Sequence, residues 1–194
     1  EEFADKTKRI NHRIEVNVQN LAAIPSVVYG LLALAVLTLV GVQNKNLVIA
    51  GATALGLLIL PVIIIATREA LRSVPADIRE GSLALGATPL QTMWRQTLPS
   101  AVPGIATGAI LALSRALGEA APLLLLGGLV FVSYDPNGLL SGYTTLPIQI
   151  FNWTGRPQEE FRVLAAAASI VLLVLLLAMN GLAIYIRNHF QRRW

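Results

Sequence analysis

Cysteine is absent from the 194 residues, and only 13 % of them are charged. The absence of cysteine excludes thiol catalysis, cysteine-ligated zinc and iron–sulfur clusters. The charged fraction lies well below the roughly 25 % of an ordinary soluble domain, and 55 % of the residues are hydrophobic. Together with a mean hydropathy of +0.63, this composition indicates a membrane protein rather than a soluble enzyme or a disordered tail.

The apolar residues are concentrated in four long runs that contain no charge, except for Arg115 and Glu119 in the third. The runs cover residues 21–42, 47–67, 101–132 and 163–186. Each run is long enough to cross a hydrocarbon core of about 30 Å, which takes about 20 helical residues. The alternating polarity of barrel strands is absent, and a backbone in lipid must bond to itself. We therefore predict an all-α, polytopic bundle of transmembrane helices in a single domain.

Lysine and arginine are distributed unevenly between the segments that connect these runs. The segments before the first run, between the second and third, and after the fourth contain eleven of them, whereas the other two connections contain three. Because basic residues are retained on the cytoplasmic side, both ends of the chain are predicted to be cytoplasmic, with an outer loop at 133–160. The net charge of +4 reflects these basic segments, and the four apolar runs exclude a nucleic-acid-binding protein.

The cytoplasmic segment 75–99 carries start and stop signals for two short helices. In chain order they are Pro75, Asp77, Gly86, Thr88, Pro89, Gln91 and Pro99. Asp77 suits the first turn of a helix, and Gly86 suits the residue just after its end. Thr88 and Gln91 have the spacing of a capping box, with Pro89 at the first helical position. We therefore predict two helices with a sharp bend at Gly86–Ala87, the second of which ends at Pro99.

Arg115 and Glu119 stand one helical turn apart, so a helix through the third run places them on the same face. Charges inside a membrane are costly and mark a functional site by default, and the planar guanidinium matches the geometry of oxyanions. We therefore place both residues in a translocation path. Two alternatives stay open: the pair is a structural ion pair between packed helices, or the run divides into two shorter segments with the charges near an interface.

Small residues recur at every fourth position along the same run. They are Gly104, Gly108, Ala112, Ala116 and Ala120. Such a stripe lets another helix approach closely, so we assign it to packing and give it no chemistry.

No catalytic or cofactor-binding set is recognisable in the sequence. It contains no Gly-x4-Gly-Lys-Ser/Thr phosphate loop, and no Ser/His/Asp set or carboxylate pair can be placed in one site. The two histidines, His12 and His189, have no partners at metal-binding spacing. The chain is therefore predicted to be non-catalytic, with no cofactor and no metal.

The cytoplasmic segment contains Glu80-Gly81-Ser82, then Gly86 after three residues, and Gln96 after nine more, followed after one residue by Leu98-Pro99. This pattern resembles the EAA loop of ABC importer permeases, Glu-Ala-Ala-x3-Gly-x9-Ile-x-Leu-Pro. The residues that match are Glu80, Gly86, Leu98 and Pro99, and those that depart are Gly81, Ser82 and Gln96. The resemblance implies that a cytoplasmic ATPase docks here. The implied coupling residues are Glu80, Gly86, Ala87, Leu98 and Pro99.

Three further stretches, 20–30, 115–123 and 146–153, resemble permeases of the phosphate-specific transport system. The last of them is similar to the PstA-like rather than the PstC-like permease. The resemblance implies a type I importer fold in the inner membrane of a prokaryote, and import of inorganic phosphate by alternating access past Arg115 and Glu119. It also implies four partners: a PstC-like second permease, a PstB-like ATPase dimer, a phosphate-binding protein and membrane lipid.

The chain departs from the PstA-like pattern in two respects. These permeases have six spans, so we interpret the four runs as the last four spans of a longer protein whose N-terminal spans are missing. The family tends to carry an arginine where this chain has Ile65, and Arg68 lies nearly one turn later. Two other functions stay open: a permease for another oxyanion such as sulfate or molybdate, and a membrane channel or scaffold without ATP coupling.

Overall fold

The computed structural model describes residues 9–128 and 131–190 as a series of helices. In chain order these are α1 (Arg9–Ala22), α2 (Ser26–Leu39), α3 (Val48–Arg72), α4 (Ala76–Ala84), α5 (Pro89–Thr92), α6 (Leu98–Leu117), α7 (Ala121–Leu125), α8 (Leu146–Thr154) and α9 (Glu159–Phe190). A π-helical turn, Met93–Thr97, joins α5 to α6. Within these two ranges there is no β-strand, and an isolated bridge pairs Leu47 with Gly142. The predicted all-α fold is confirmed.

Among the described residues, three helical stretches are long and apolar enough to cross a membrane: α3, the continuous helix Pro89–Leu117, and Glu159–His189 of α9. A fourth crossing results if α1 and α2 together count as one broken span. The backbone leaves the helix between them at Pro25, which has no N–H to continue the hydrogen-bond ladder. The predicted first span, 21–42, contains this break.

The third predicted span, 101–132, is also divided. α6 ends at Leu117 and α7 begins at Ala121, so the helical ladder is interrupted around Glu119. Residues 129–130 of this span lie outside the described residues. The chain ends 1–8 and 191–194, on which the predicted orientation partly depends, lie outside them as well.

The second helix of the cytoplasmic segment does not end at Pro99, as predicted, but continues into α6. In the π-helical turn the N–H of Leu98 donates to the carbonyl of Met93, five residues back. In a regular α-helix a proline ring crowds the carbonyl four residues back. The wider turn just before Pro99 relieves this crowding, and the helix passes through the proline. The predicted stop is therefore wrong.

The bend between α4 and α5 has the predicted caps. The N–H of Gln91 donates to Thr88 Oγ1 at 3.3 Å, and the N–H of Thr88 donates to Gln91 Oε1 at 2.9 Å. After α4 ends, Gly86 adopts a left-handed conformation with φ of +85°, which is unfavourable for a residue with a Cβ. Both the capping box and the glycine stop are confirmed.

One compact unit contains α1, the second half of α3, the cytoplasmic segment and the first part of α6. Within it, α3 and α6 approach each other through glycines. A Cβ at Gly104 would lie 2.8 Å from the Cβ of Ala70, and a Cβ at Gly108 would lie 2.3 Å from the Cβ of Ala66. Both distances are too short for real carbon atoms, so the packing role of these two glycines is confirmed.

We expect Gly108→Ala to lower the free energy of unfolding by about 1–3 kcal/mol, the usual cost of overpacking a tight contact. Gly56→Ala in α3 is the matched control, since a Cβ there meets nothing within 4 Å; it should raise stability by about 0.5–1 kcal/mol through helix propensity. The measurement is thermal unfolding of the purified full-length protein in detergent. Equal stability of the two variants would contradict the close approach.

The other compact unit contains α2, the first half of α3, the end of α6, α7, α8 and most of α9. Its helices α2 and α7 touch at Gly30, where a Cβ would lie 2.8 Å from the Cα of Pro122. The segment that contains α8 packs onto α7, because Tyr143 and Ile148 are buried in one cluster with Leu123. The short helix α7 is therefore held between α2 and this segment.

Candidate functional site

Arg115 and Glu119 form an ion pair at the end of α6. Arg115 lies in the last turn of the helix, and Glu119 lies in the break before α7. The guanidinium Nε and the carboxylate Oε1 are 3.8 Å apart, and the side chains are 42 % and 21 % exposed. The predicted proximity of the two charges is confirmed, and their place in a translocation path stays a prediction. The break also divides the third run into two segments, as one of the alternatives predicts.

The ion pair holds Arg115 only loosely. A separation of 3.8 Å is longer than an N–H···O hydrogen bond, which spans about 2.7–3.2 Å. A guanidinium carries five N–H donors in a planar fork, and a pair at this distance does not fix the fork on Glu119. Arg115 can therefore turn towards an acceptor that comes closer.

Two of the stretches that resemble phosphate permeases meet beside this pair. The first contributes Gly30 and the second contributes Pro122, and their backbones are in close contact. Tyr29, next to Gly30, is buried and interacts electrostatically with Arg115. The third stretch, 146–153, lies entirely in α8, which packs onto α7. Sequence reasoning did not link these stretches, because no local signal reports a contact between distant segments.

The five predicted coupling residues lie along the segment 75–99. Glu80 is exposed on α4, Gly86 and Ala87 form the bend, and Leu98 and Pro99 open α6. Sequence reasoning missed the apolar side chains that protrude from the same segment. They are Leu83, Leu85, Leu90 and Trp94, and Leu85 is 91 % exposed. Exposed apolar side chains outside the apolar runs suit a surface that binds another protein.

Residues 4–194 match the family described as binding-protein-dependent transport system inner membrane component. The chain belongs to this family. It is therefore related to the inner membrane components of transport systems, in agreement with described helices that are long and apolar enough to cross a membrane. No solved structure matches it.

The permease is similar to several curated proteins. It is 38 % identical over 168 residues to the probable ABC transporter permease protein YqgI of Bacillus subtilis, covering 84 % of this chain and 53 % of the relative. It is 32 % identical over 188 residues to the phosphate transport system permease protein PstA 1 of Mycobacterium tuberculosis, and the match covers 96 % of this chain and 61 % of the relative. A probable phosphate transport system permease protein PstA of Methanocaldococcus jannaschii is 34 % identical over 131 residues, and the match covers 68 % of this chain and 46 % of the relative. The permease thus spans about half the length of these relatives.

A cavity of about 470 Å³ in the cytoplasmic segment brings together the three departures from the EAA pattern, Gly81, Ser82 and Gln96. Ser82 Oγ lies 3.0 Å from Thr92 Oγ1, so the hydroxyl that replaces an alanine of the motif is hydrogen-bonded within the segment. A Cβ at Gly81 would meet nothing within 4 Å, so the motif's alanine would fit there. The departures therefore change the lining of this cavity and leave the local fold intact.

Arg68 of this permease is held by Glu15 of α1. Their side chains form an ion pair, and Arg72 lies 3.7 Å from the same carboxylate. The hydrogen bond from Arg68, helped by both positive charges, lowers the pKa of Glu15 below its ordinary value. Sequence reasoning took residues 1–20 as a polar segment and missed α1. The sequence did contain a signal for this helix: an apolar stripe at helical spacing, formed by Ile10, Ile14, Val18 and Leu21.

Proposed function

We propose that this permease is the PstA-like subunit of an ATP-driven importer of inorganic phosphate. The observation that carries the proposal is the loosely paired Arg115, placed beside the contact between Gly30 and Pro122. Both flanking stretches resemble phosphate permeases, and relatives that cover most of the chain are named for phosphate transport.

Phosphate takes the place of Glu119 as the partner of Arg115. Charge-assisted hydrogen bonds from a guanidinium fork to two phosphate oxygens are shorter and stronger than neutral ones. Glu119 neutralises the arginine when the path is empty, and accepts a hydrogen bond from a protonated phosphate oxygen during passage. Sulfate is fully ionised and has no proton to donate, so the same carboxylate disfavours it.

ATP hydrolysis drives transport through the cytoplasmic segment 75–99. Glu80, with the exposed Leu85 and Trp94, forms the surface on which a PstB-like ATPase dimer docks. The movement of the ATPase is passed to the membrane helices through the bend at Gly86 and Ala87 and through the start of α6 at Leu98 and Pro99. Contacts that differ between nucleotide states shift the population between inward- and outward-facing forms.

The remaining partners complete the path across the inner membrane. A PstC-like second permease forms the other wall of the path. A phosphate-binding protein delivers the anion at the outer loop 133–160, and both ends of this chain lie on the cytoplasmic side.

The test is uptake of radiolabelled phosphate by cells that lack their own phosphate importers and carry the full-length permease with its companion subunits. We expect saturable uptake that excess unlabelled phosphate abolishes, that excess sulfate or molybdate leaves unchanged, and that an inactive ATPase subunit eliminates. Equal competition by sulfate or molybdate would assign the permease to another oxyanion. Uptake that persists with the inactive ATPase would favour a channel without ATP coupling.

A further inference from the structure

The side chain of Arg79 ties the start of α4 to the end of α3. Its Nη1 donates to the carbonyl of Val74 and its Nη2 donates to the carbonyl of Leu71, both at 2.8 Å. Leu71 lies in the last turn of α3, where the carbonyls have no partner within the helix. A cation at this position also interacts favourably with the C-terminal end of the helix dipole.

The link that Arg79 spans is short, and its own hydrogen bonds run back to α3: Ser73 donates to the carbonyls of Glu69 and Ala70, and the N–H of Val74 donates to the carbonyl of Leu71. Three residues, 73–75, separate α3 from α4, and the last of them is Pro75, which has no N–H. Val74 is buried against Ala70 and Ala101, with Ile78 packed beside them. Such small apolar contacts are weakly directional, whereas a planar fork that binds two carbonyls fixes an angle. Arg79 therefore sets the orientation of α4 relative to the end of α3.

Arg79 is also the residue directly before Glu80. Successive residues of a helix point about 100° apart. Arg79 therefore faces the end of α3, while Glu80 is exposed. We propose that Arg79 is a positioning residue for energy coupling: it makes α4 and the end of α3 move together when the ATPase acts on Glu80. This inference rests on the proposed function, since it requires that the ATPase docks on this segment.

The experiment measures phosphate transport and ATP hydrolysis together, in proteoliposomes that contain the full-length permease, its companion subunits and the binding protein. We expect Arg79→Gln to keep the ATPase bound and its hydrolysis within about twofold of wild type, while the phosphate moved per ATP falls by at least about tenfold, because both charge-assisted hydrogen bonds to the Leu71 and Val74 carbonyls are lost. Arg79→Lys, which keeps the charge without the fork, should recover part of the ratio. Arg72→Gln is the control. This exposed arginine lies at the same helix end but pairs with the carboxylates of Glu15 and Glu69, so its loss should leave the ratio of phosphate to ATP unchanged.

A second measurement does not depend on transport. Spin labels on cysteines introduced at Ile64 of α3 and Leu83 of α4, both exposed, should give one narrow distance distribution in the wild-type protein and a broad one in Arg79→Gln. A narrow distribution in both proteins, or an unchanged ratio of phosphate to ATP, would overturn the proposal. If the wild-type system carries another oxyanion, the proposed substrate is wrong, and the ratio measured with that anion still tests Arg79.

Discussion

Replacing Arg115 with glutamine is expected to lower phosphate uptake at limiting concentration by about a hundredfold. The amide is polar, but it is about two atoms shorter than the arginine side chain and lacks both the charge and the fork. The loss of two charge-assisted hydrogen bonds, each contributing about 1.5 kcal/mol at the low end, corresponds to that factor. The measurement is the initial rate of radiolabelled phosphate uptake, normalised to the amount of full-length permease in the membrane.

Three further variants separate this interpretation from a structural one. Arg162→Gln removes a positive charge at an exposed position of α9 and should leave uptake unchanged. Arg115→Lys keeps the charge and should lower uptake less than glutamine does. Glu119→Gln should admit sulfate as a competitor, because the carboxylate that disfavours it is gone. Normal uptake rate and affinity in Arg115→Gln would mean that the arginine is part of a structural ion pair.

Glu80→Lys is expected to abolish coupled transport by releasing the ATPase. Glu80 is exposed on the segment that carries the EAA-like pattern and the protruding apolar side chains. Reversal of a charge inside a complementary interface costs several kcal/mol, which is about a hundredfold or more in affinity. The measurement is co-purification of the ATPase with the full-length permease, together with phosphate uptake.

The matched control is Glu160→Lys, which makes the same change of charge at an exposed position in the first turn of α9. It should retain both the ATPase and uptake. If Glu80→Lys also retains both, the cytoplasmic segment does not dock the ATPase, and a channel or scaffold without ATP coupling gains support. If Glu80→Lys retains the ATPase but loses uptake, Glu80 is not needed for docking and acts instead in passing the movement of the ATPase to the membrane helices.

Local signals in the sequence predicted local structure well. Thr88 and Gln91 are three residues apart, and their capping box depends on little beyond that spacing. Gly86 stops α4 because it can adopt a positive φ, which is also a property of one residue. Pro99 was misjudged because its effect depends on the hydrogen-bond pattern of the turn before it, and nothing in its own neighbourhood of the sequence announces a π-helical turn.

Hydropathy located the membrane segments but not the breaks within them. The third run is apolar on both sides of Glu119, so its composition hides the point at which α6 stops. For α1 the error was the opposite, since a polar average concealed an apolar stripe along the helix.

The candidate site was predictable only in part. The spacing of Arg115 and Glu119 predicted their proximity, and the turn that follows α6 keeps them close although the helix itself ends at Leu117. The contact of Gly30 with Pro122 and the two hydrogen bonds of Arg79 could not be predicted, since both depend on how separate helices are joined and packed.

The π-helical turn at 93–97 places one additional residue in an otherwise regular helix. An α-helix turns by about 100° per residue, so the side chains on the two sides of this turn are offset by about that angle from the regular arrangement. A deletion of one residue here would rotate α5 and its bend about the helix axis relative to the start of α6, and Pro99 would oppose the change. The direction in which the proposed docking surface faces is thus determined by chain length within a single turn, independently of the residues displayed on that surface.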